Sequence, residues 1–182
     1  MKNIVSILLL LVSGTAFSQV IIGDEIGTAT DKTSVLLEFA SGKNKGIILP
    51  YVKLKPSGTG LVEGTIILDA TDPTKAKVKY YNGSPTWVDL SNGNEANITS
   101  AMSIQSSTIT EDASAKAIIG SNFSVADGVL VLESETKAMV LPMVASTDDV
   151  PNPSPGMLVY INKTGAKRLA VFNGANWTYW KP

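Results

Sequence analysis

Short apolar runs broken by Gly, Pro, Asn and Ser dominate the chain from residue 34 onward, and this punctuation predicts strands. Residues 34–39 (SVLLEF) and 46–52 (GIILPYV) read as two strands joined by the turn SGKNK. Pro50 interrupts the second run, which places it on a sheet edge or at a strand end, because proline has no N–H for a ladder. Residues 53–63 (KLKPSGTGLVE) form an irregular crossing. Residues 65–69 are a continuous apolar run ending in Asp69, suited to a strand covered on both faces. The next run alternates: Val78 and Tyr80 share one face, Lys77, Lys79 and Tyr81 the other. Asn82-Gly83 then predicts a tight hairpin of type I′, in which both central residues need positive φ, and Trp87 falls on the returning strand.

The same order occurs a second time. Residues 46–52 map onto 138–144 (AMVLPMV), setting Pro50 on Pro142 at a shift of 92, and Gly64 falls on Gly156 at the same shift. The shift becomes 91 at Asn82-Gly83 against Asn173-Gly174 and 90 at Trp87 against Trp177, so the length changes sit in turns. Leu37-Glu38 aligns with Leu132-Glu133 once three turn residues are removed, and an Ile-Gly segment able to add an edge strand opens each half. Recurrence at nearly fixed spacing is the signature of an internal repeat. The second crossing, STDDVPNPSPG, keeps the length of the first but not its composition, as expected of a shared frame carrying different surface loops. The expected architecture is therefore mainly β: two tandem homologous small antiparallel β units, at residues 19–90 and 117–182. Residues 91–116, rich in Ser, Thr and Asn, are expected to form a polar linker with a short helix or an added strand.

Residues 1–18 read as a cleaved signal peptide: Lys2, an apolar run from Ile4 to Val12, and Ala16-Phe17-Ser18 before Gln19. That run is too short to span a bilayer core of ~30 Å, so an exported protein that does not span the membrane is expected. With no cysteine there is no disulfide framework, and stability must come from apolar burial. The formal net charge of −1, without a basic stripe, argues against nucleic acid. Copy two runs to Trp180 with no further sorting domain behind it, which favours the periplasm, the cell surface or secretion by another route.

The chemistry available is narrow. No histidine and no cysteine means no His-based triad and no ordinary zinc site, so no catalytic residue, metal ligand or cofactor is assigned. Glu38 and Glu133 occupy equivalent positions, but a glycosidase needs two carboxyls across one cleft, and an exposed strand glutamate is the simpler expectation. Asp69 with Asp72, and Asp148 with Asp149, lack the spacing of a calcium loop and suit turns. Among the aromatics, Trp87 and Trp177 recur beside a turn, where cross-strand packing explains them. Trp180 and Tyr179, without counterparts in the first half, and Tyr81 are the candidate ligand-binding residues, for stacking on a sugar ring. Pro50, Gly64, Asn82, Gly83, Trp87, Pro142, Gly156, Asn173, Gly174 and Trp177 are the candidate structural positions.

The order Leu49-Pro50, Gly64, Tyr81-Asn82-Gly83 and Trp87, repeated as Leu141-Pro142, Pro155-Gly156, Phe172-Asn173-Gly174 and Trp177, resembles repeats in secreted proteins of Bacteroidetes-type bacteria and domains of phage tail-fibre-like proteins. The resemblance covers residues 34–90 and 128–180. It implies a fibre-like, adhesive or surface-structural role without enzymatic activity, a homo-oligomer such as a trimer, and other surface or outer-membrane proteins as partners. Two alternatives stand beside it: a carbohydrate-binding module that takes glycans on its aromatics, and a periplasmic accessory subunit of an outer-membrane complex.

Overall fold

A computed structural model describes residues 19–83, 87–105, 112 and 114–180; the predicted signal peptide lies outside these residues. The protein is mainly β. One four-stranded sheet consists of β4 (Tyr51–Val52), β5 (Ile66–Asp69), β6 (Lys77–Tyr81) and β7 (Trp87–Asp89), in that spatial order. A second holds β11 (Met143–Val144), β12 (Met157–Ile161), β13 (Arg168–Phe172) and β14 (Trp177–Trp180) in the same order. Their registers match as well. Tyr51 and Val52 lie parallel beside Leu68 and Asp69, and Met143 and Val144 lie parallel beside Tyr160 and Ile161, each at a shift of 92.

The remaining strands connect the halves. β1 (Val20–Ile22) and β10 (Ala138–Met139) flank β2 (Val35–Phe39), both parallel to it. β8 (Ala117–Ile119) and β9 (Leu130–Leu132) form a separate parallel pair. β3 (Ile47–Ile48) lies antiparallel against β12, so residues 34–39 and 46–52 do not pair with each other. Both edges of β2 are already taken, and Pro50 splits the second run into β3 and β4, which serve different sheets. The antiparallel character expected of each unit is thus confined to its three-stranded meander and to the β3–β12 pair. The connections across the irregular crossings are parallel, as a long connection between adjacent strands allows.

Two apolar cores follow from the alternation of side chains along the strands. The first gathers Leu49, Leu68, Val78, Leu90 and Ile98 with Leu158 and Val171 from the second sheet. The second lies on the opposite face of that sheet and contains Val144, Val150, Met157, Val159, Ile161 and Ala170. The second sheet is therefore covered on both sides. Part of the expected linker joins the first core. Ser91, Ala96 and Ile98 are buried, Ala96 bridges Ala76, and a single helical turn, α1 (Thr99–Met102), follows. Small side chains let that segment lie flat against the sheet, which its polar composition hides. Residues 106–111 of the linker lie outside the described residues.

Candidate functional site

Two of the three candidate binding residues, Tyr179 and Trp180, lie on β14, and Trp180 sits where this strand meets the segment that follows β7. The Trp180 indole Nε1–H donates to the Leu90 carbonyl at 2.9 Å, and the Thr178 hydroxyl donates to the Ser91 carbonyl at 3.2 Å. Asn173, almost fully buried, donates from Nδ2 to the Asn94 carbonyl at 2.9 Å, while its Oδ1 accepts the amides of Ala175 and Asn176. The Ser91 hydroxyl in turn accepts the Val78 amide at 2.8 Å. One buried asparagine thus closes its own turn and clamps the first half to the second. Buried polar atoms satisfied in this way fix a geometry, because losing a partner leaves the other group desolvated and unpaired.

The candidate binding residues separate here. Trp180 and Tyr179 are 39% and 42% exposed, but both polar ends are engaged. The Tyr179 hydroxyl meets the Thr147 hydroxyl at 3.0 Å, and the Arg168 guanidinium lies over its ring at 4.4 Å, a cation–π contact. Arg168 Nε is buried with no hydrogen-bond partner among the described residues. Tyr81 is not brought to this strip; it faces Trp87 across β6 and β7 with ring centroids 5.5 Å apart. Phe172 faces Trp177 in the same way at 5.2 Å, and both pairs are tilted, the favoured arrangement for neighbouring rings. Trp87 and Trp177 are half-buried, and Trp177 with Phe172 borders the second core.

The turns differ from the expected type I′. Gly83 and Gly174 have φ of +80° and +115°, but neither Asn82 nor Asn173 has positive φ. Tyr81 pairs with Trp87 and Phe172 with Trp177, so the loops span residues 82–86 and 173–176, longer than two residues. Residues 84–86 lie outside the described residues. In the second loop the Asn173 side chain supplies the turn-closing acceptor, a side-chain mimic of a backbone turn.

The acidic residues are structural as placed. Glu38 is not an exposed strand glutamate: it is fully buried, accepts the Ala29 amide at 2.9 Å, and meets Lys32 and Gln19. Gly27 packs so closely that a Cβ there would fall on the carboxylate. Burial pushes the Glu38 pKa up, but the Lys32 bond, the Ala29 amide and the Lys32 charge outweigh it and hold the group below the ordinary carboxylate range. Glu133, its sequence equivalent, is half-buried and shares none of these partners. Asp69 is buried too. Desolvation raises its pKa, and bonds from Lys79 at 2.8 Å and Thr71 at 2.7 Å more than reverse this, leaving it well below the usual range. Asp149 and Ser146 cap a 3₁₀ turn, Thr147–Asp149.

Among the described residues no group of three or more acidic side chains could hold a metal. The two best-formed depressions are shallow. One, of about 330 Å³, is lined by residues such as Lys43, Asp149 and Met157, and the other, of about 520 Å³, by residues such as Leu36, Glu133 and Lys137. Neither brings together Glu38 and Glu133. No helix among the described residues is long and apolar enough to cross a membrane.

Residues 104–182 match a protein family described as the phage tail like trimerisation region. The C-terminal part of the chain, from the middle of the expected linker to residue 182, is thus similar to a phage tail-fibre-like structural domain. No curated relative and no solved structure matches the chain.

Proposed function

We propose that the protein is an exported, non-enzymatic structural module that assembles with copies of itself, as a trimer, and presents the loops of two duplicated β units for binding or assembly. The match of residues 104–182 to a trimerisation region carries this reading. The common strand order and register of β4–β7 and β11–β14 support descent from one copied unit, with domain limits near residues 19–90 and 117–182. The predicted signal peptide supports export to the periplasm, the cell surface or the medium, where surface or outer-membrane proteins would be its partners. Light scattering on the chain starting at Gln19 tests the assembly: three times the chain mass is expected, and a monomer would overturn it.

A second reading, glycan binding on the β14 strip, is favoured by the exposure of Tyr179 and Trp180. Their polar ends are engaged while part of each side chain stays exposed, which suits contact with a sugar ring. Glycan-array binding that disappears in Trp180→Ala would support it. Binding unchanged in that variant would exclude the strip. The accessory-subunit reading predicts co-purification with an outer-membrane complex and fails if the protein elutes alone from membranes that retain the complex.

A further inference from the structure

Each half of the molecule uses one strand edge that its counterpart leaves open, and the four edges are complementary. The occupied ones come first. In the second sheet, β3 covers the first residues of β12: Ile48 lies opposite Met157, Ile47 opposite Leu158, and the Leu49 amide donates to the Gly156 carbonyl at 3.1 Å. In the first half, β10 covers β2, with the Val140 amide donating to the Leu37 carbonyl at 2.8 Å.

The equivalent edges are bare. β5 has β6 along one side and β4 beside Leu68 and Asp69 on the other, and on that second side no described strand lies beside Ile66, the equivalent of Leu158. A Cβ on Gly156 would touch Leu49 and Leu68 at 3.5 and 3.3 Å, whereas one on Gly64 meets nothing within 4 Å, so the slot that Leu49 fills is empty in the first half. Among the described residues β9 pairs only with β8, leaving the edge that corresponds to the covered side of β2. The strands that would fill these places each have a spare side. The Leu141 amide, equivalent to that of Leu49, has no partner among the described residues. Along β3, the side used by Val140 in β10 belongs to Ile48, which is 52% exposed, and Leu130 and Val129 at the β9 edge are 47% and 64% exposed.

We infer that copies of this chain join head to tail by two strand additions: the Met139–Leu141 edge of one chain onto β5 of the next, and β3 of that next chain onto β9 of the first. This repeats between chains the contact that already joins the two halves within one. It rests on the self-assembly reading above and specifies its surface. The Leu141 amide would donate to the neighbour's Gly64 carbonyl, and the neighbour's Ile48 amide to the Leu132 carbonyl. Main-chain bonds give such additions their affinity, and the exposed apolar side chains beside them are covered at the same time. Using different surfaces on the two partners makes the contact heterologous, so it builds a ring when the rotation closes, and three chains would place six similar units around one axis. The copy is not identical in one place. Ala138 stands where Gly46 packs against β12 so tightly that a Cβ would lie 2.8 Å from the Leu158 carbonyl oxygen. The added strand therefore pairs from Met139 onward.

Because the chain has no cysteine, a Thr65→Cys/Val140→Cys variant carries only the two thiols intended, at positions equivalent to the facing pair Met157 and Ile48. After mild oxidation, a non-reducing denaturing gel is expected to show covalent dimers and trimers for the double variant that are absent from either single variant. A wild-type oligomer whose folded double variant yields no interchain bond would overturn the edge pairing and leave self-assembly intact. A wild-type monomer by light scattering would remove both. If the variant does not fold, hydrogen exchange on the unaltered protein decides. The Leu141 and Ile48 amides are expected to exchange at least ~10-fold more slowly than that of the exposed Ser121, and exchange at the same rate would reject the proposal.

Discussion

The four-stranded first sheet and the β11–β14 part of the five-stranded second sheet share strand order and register, yet they are held in different ways. The second sheet, from β11 to β14, is covered on both faces, capped along β12 by β3, and tied by Asn173 and Trp180 to residues 90–94. The first, from β4 to β7, contributes one face to the shared core and, among the described residues, leaves the start of β5 uncovered on its β4 side. Similar backbones therefore do not imply similar energetics. What distinguishes the halves is which positions received a buried partner from the other half.

Substitution of paired positions makes that contrast measurable. The largest difference is expected between the glutamates. Glu38→Ala strips the buried partner from Lys32 and the Ala29 amide and should cost about 3 kcal/mol by chemical denaturation, against less than about 0.5 kcal/mol for Glu133→Ala. Equal losses would erase the distinction. Glu38 also sets an acid limit. The folded-state pKa of Glu38 lies below its unfolded value, so its contribution is complete above the unfolded pKa of about 4.3 and is lost as pH falls through the lower folded value. Asp69 acts in the same direction. Thermal melts should drop steeply below about pH 4, and Glu38→Gln should flatten that fall; an unchanged acid slope in the variant would contradict the assignment.

Next in size come the turn glycines. A Cβ on Gly174 would sit 2.6 Å from Ile98 Cγ2 in the packed core, with φ at +115°, whereas on Gly83 it meets the end of the flexible Glu63 side chain at 2.5 Å. Gly174→Ala should cost about 3 kcal/mol and Gly83→Ala about 1 to 2 kcal/mol, since both suffer the backbone penalty but only one also crowds the core. Asn173→Ala should lose about 2 kcal/mol and the exposed Asn82→Ala less than about 1 kcal/mol, read from denaturation midpoints. The smallest contrast is between the tryptophans. Both are half-buried, so Trp177→Ala, which borders the second core, should cost about 2 kcal/mol and Trp87→Ala about 1 kcal/mol. Losses of more than about 3 kcal/mol in both would make these rings core residues after all.

The β character was legible because strand signals are local: apolar runs, Asn-Gly, and Pro50 and Pro142 at strand breaks. The strands read at residues 65–69 and 157–161 likewise fall on β5 and β12. What could not be read is long-range. Glu38 looks like any strand glutamate until a Gly- and Thr-rich segment brings Ala29 and Lys32 onto it. Asn173 carried a turn signal, but nothing local announces that its amide reaches Asn94. Ser91 and Ala96 belong to a composition that elsewhere marks linkers, and their burial depends on a sheet 80 residues away as well as on one nearby. The expected pairing of residues 34–39 with 46–52 failed for the same reason. Adjacent strands pair by default, and here both edges of β2 were filled by strands from elsewhere in the chain.

The division of residues 46–52 by Pro50 has an evolutionary corollary. Two residues before the proline are stitched to one sheet and two after it to another, so this heptapeptide works as a rivet whose length cannot drift. Inserting or deleting a single amino acid there would unfasten both sheets together, while residues 53–63 could be exchanged apart from Gly60, which packs on Asp127, and Lys55, which pairs with Asp69. Lineages of this protein should accordingly diversify by exchanging crossings and keep the rivet at constant length.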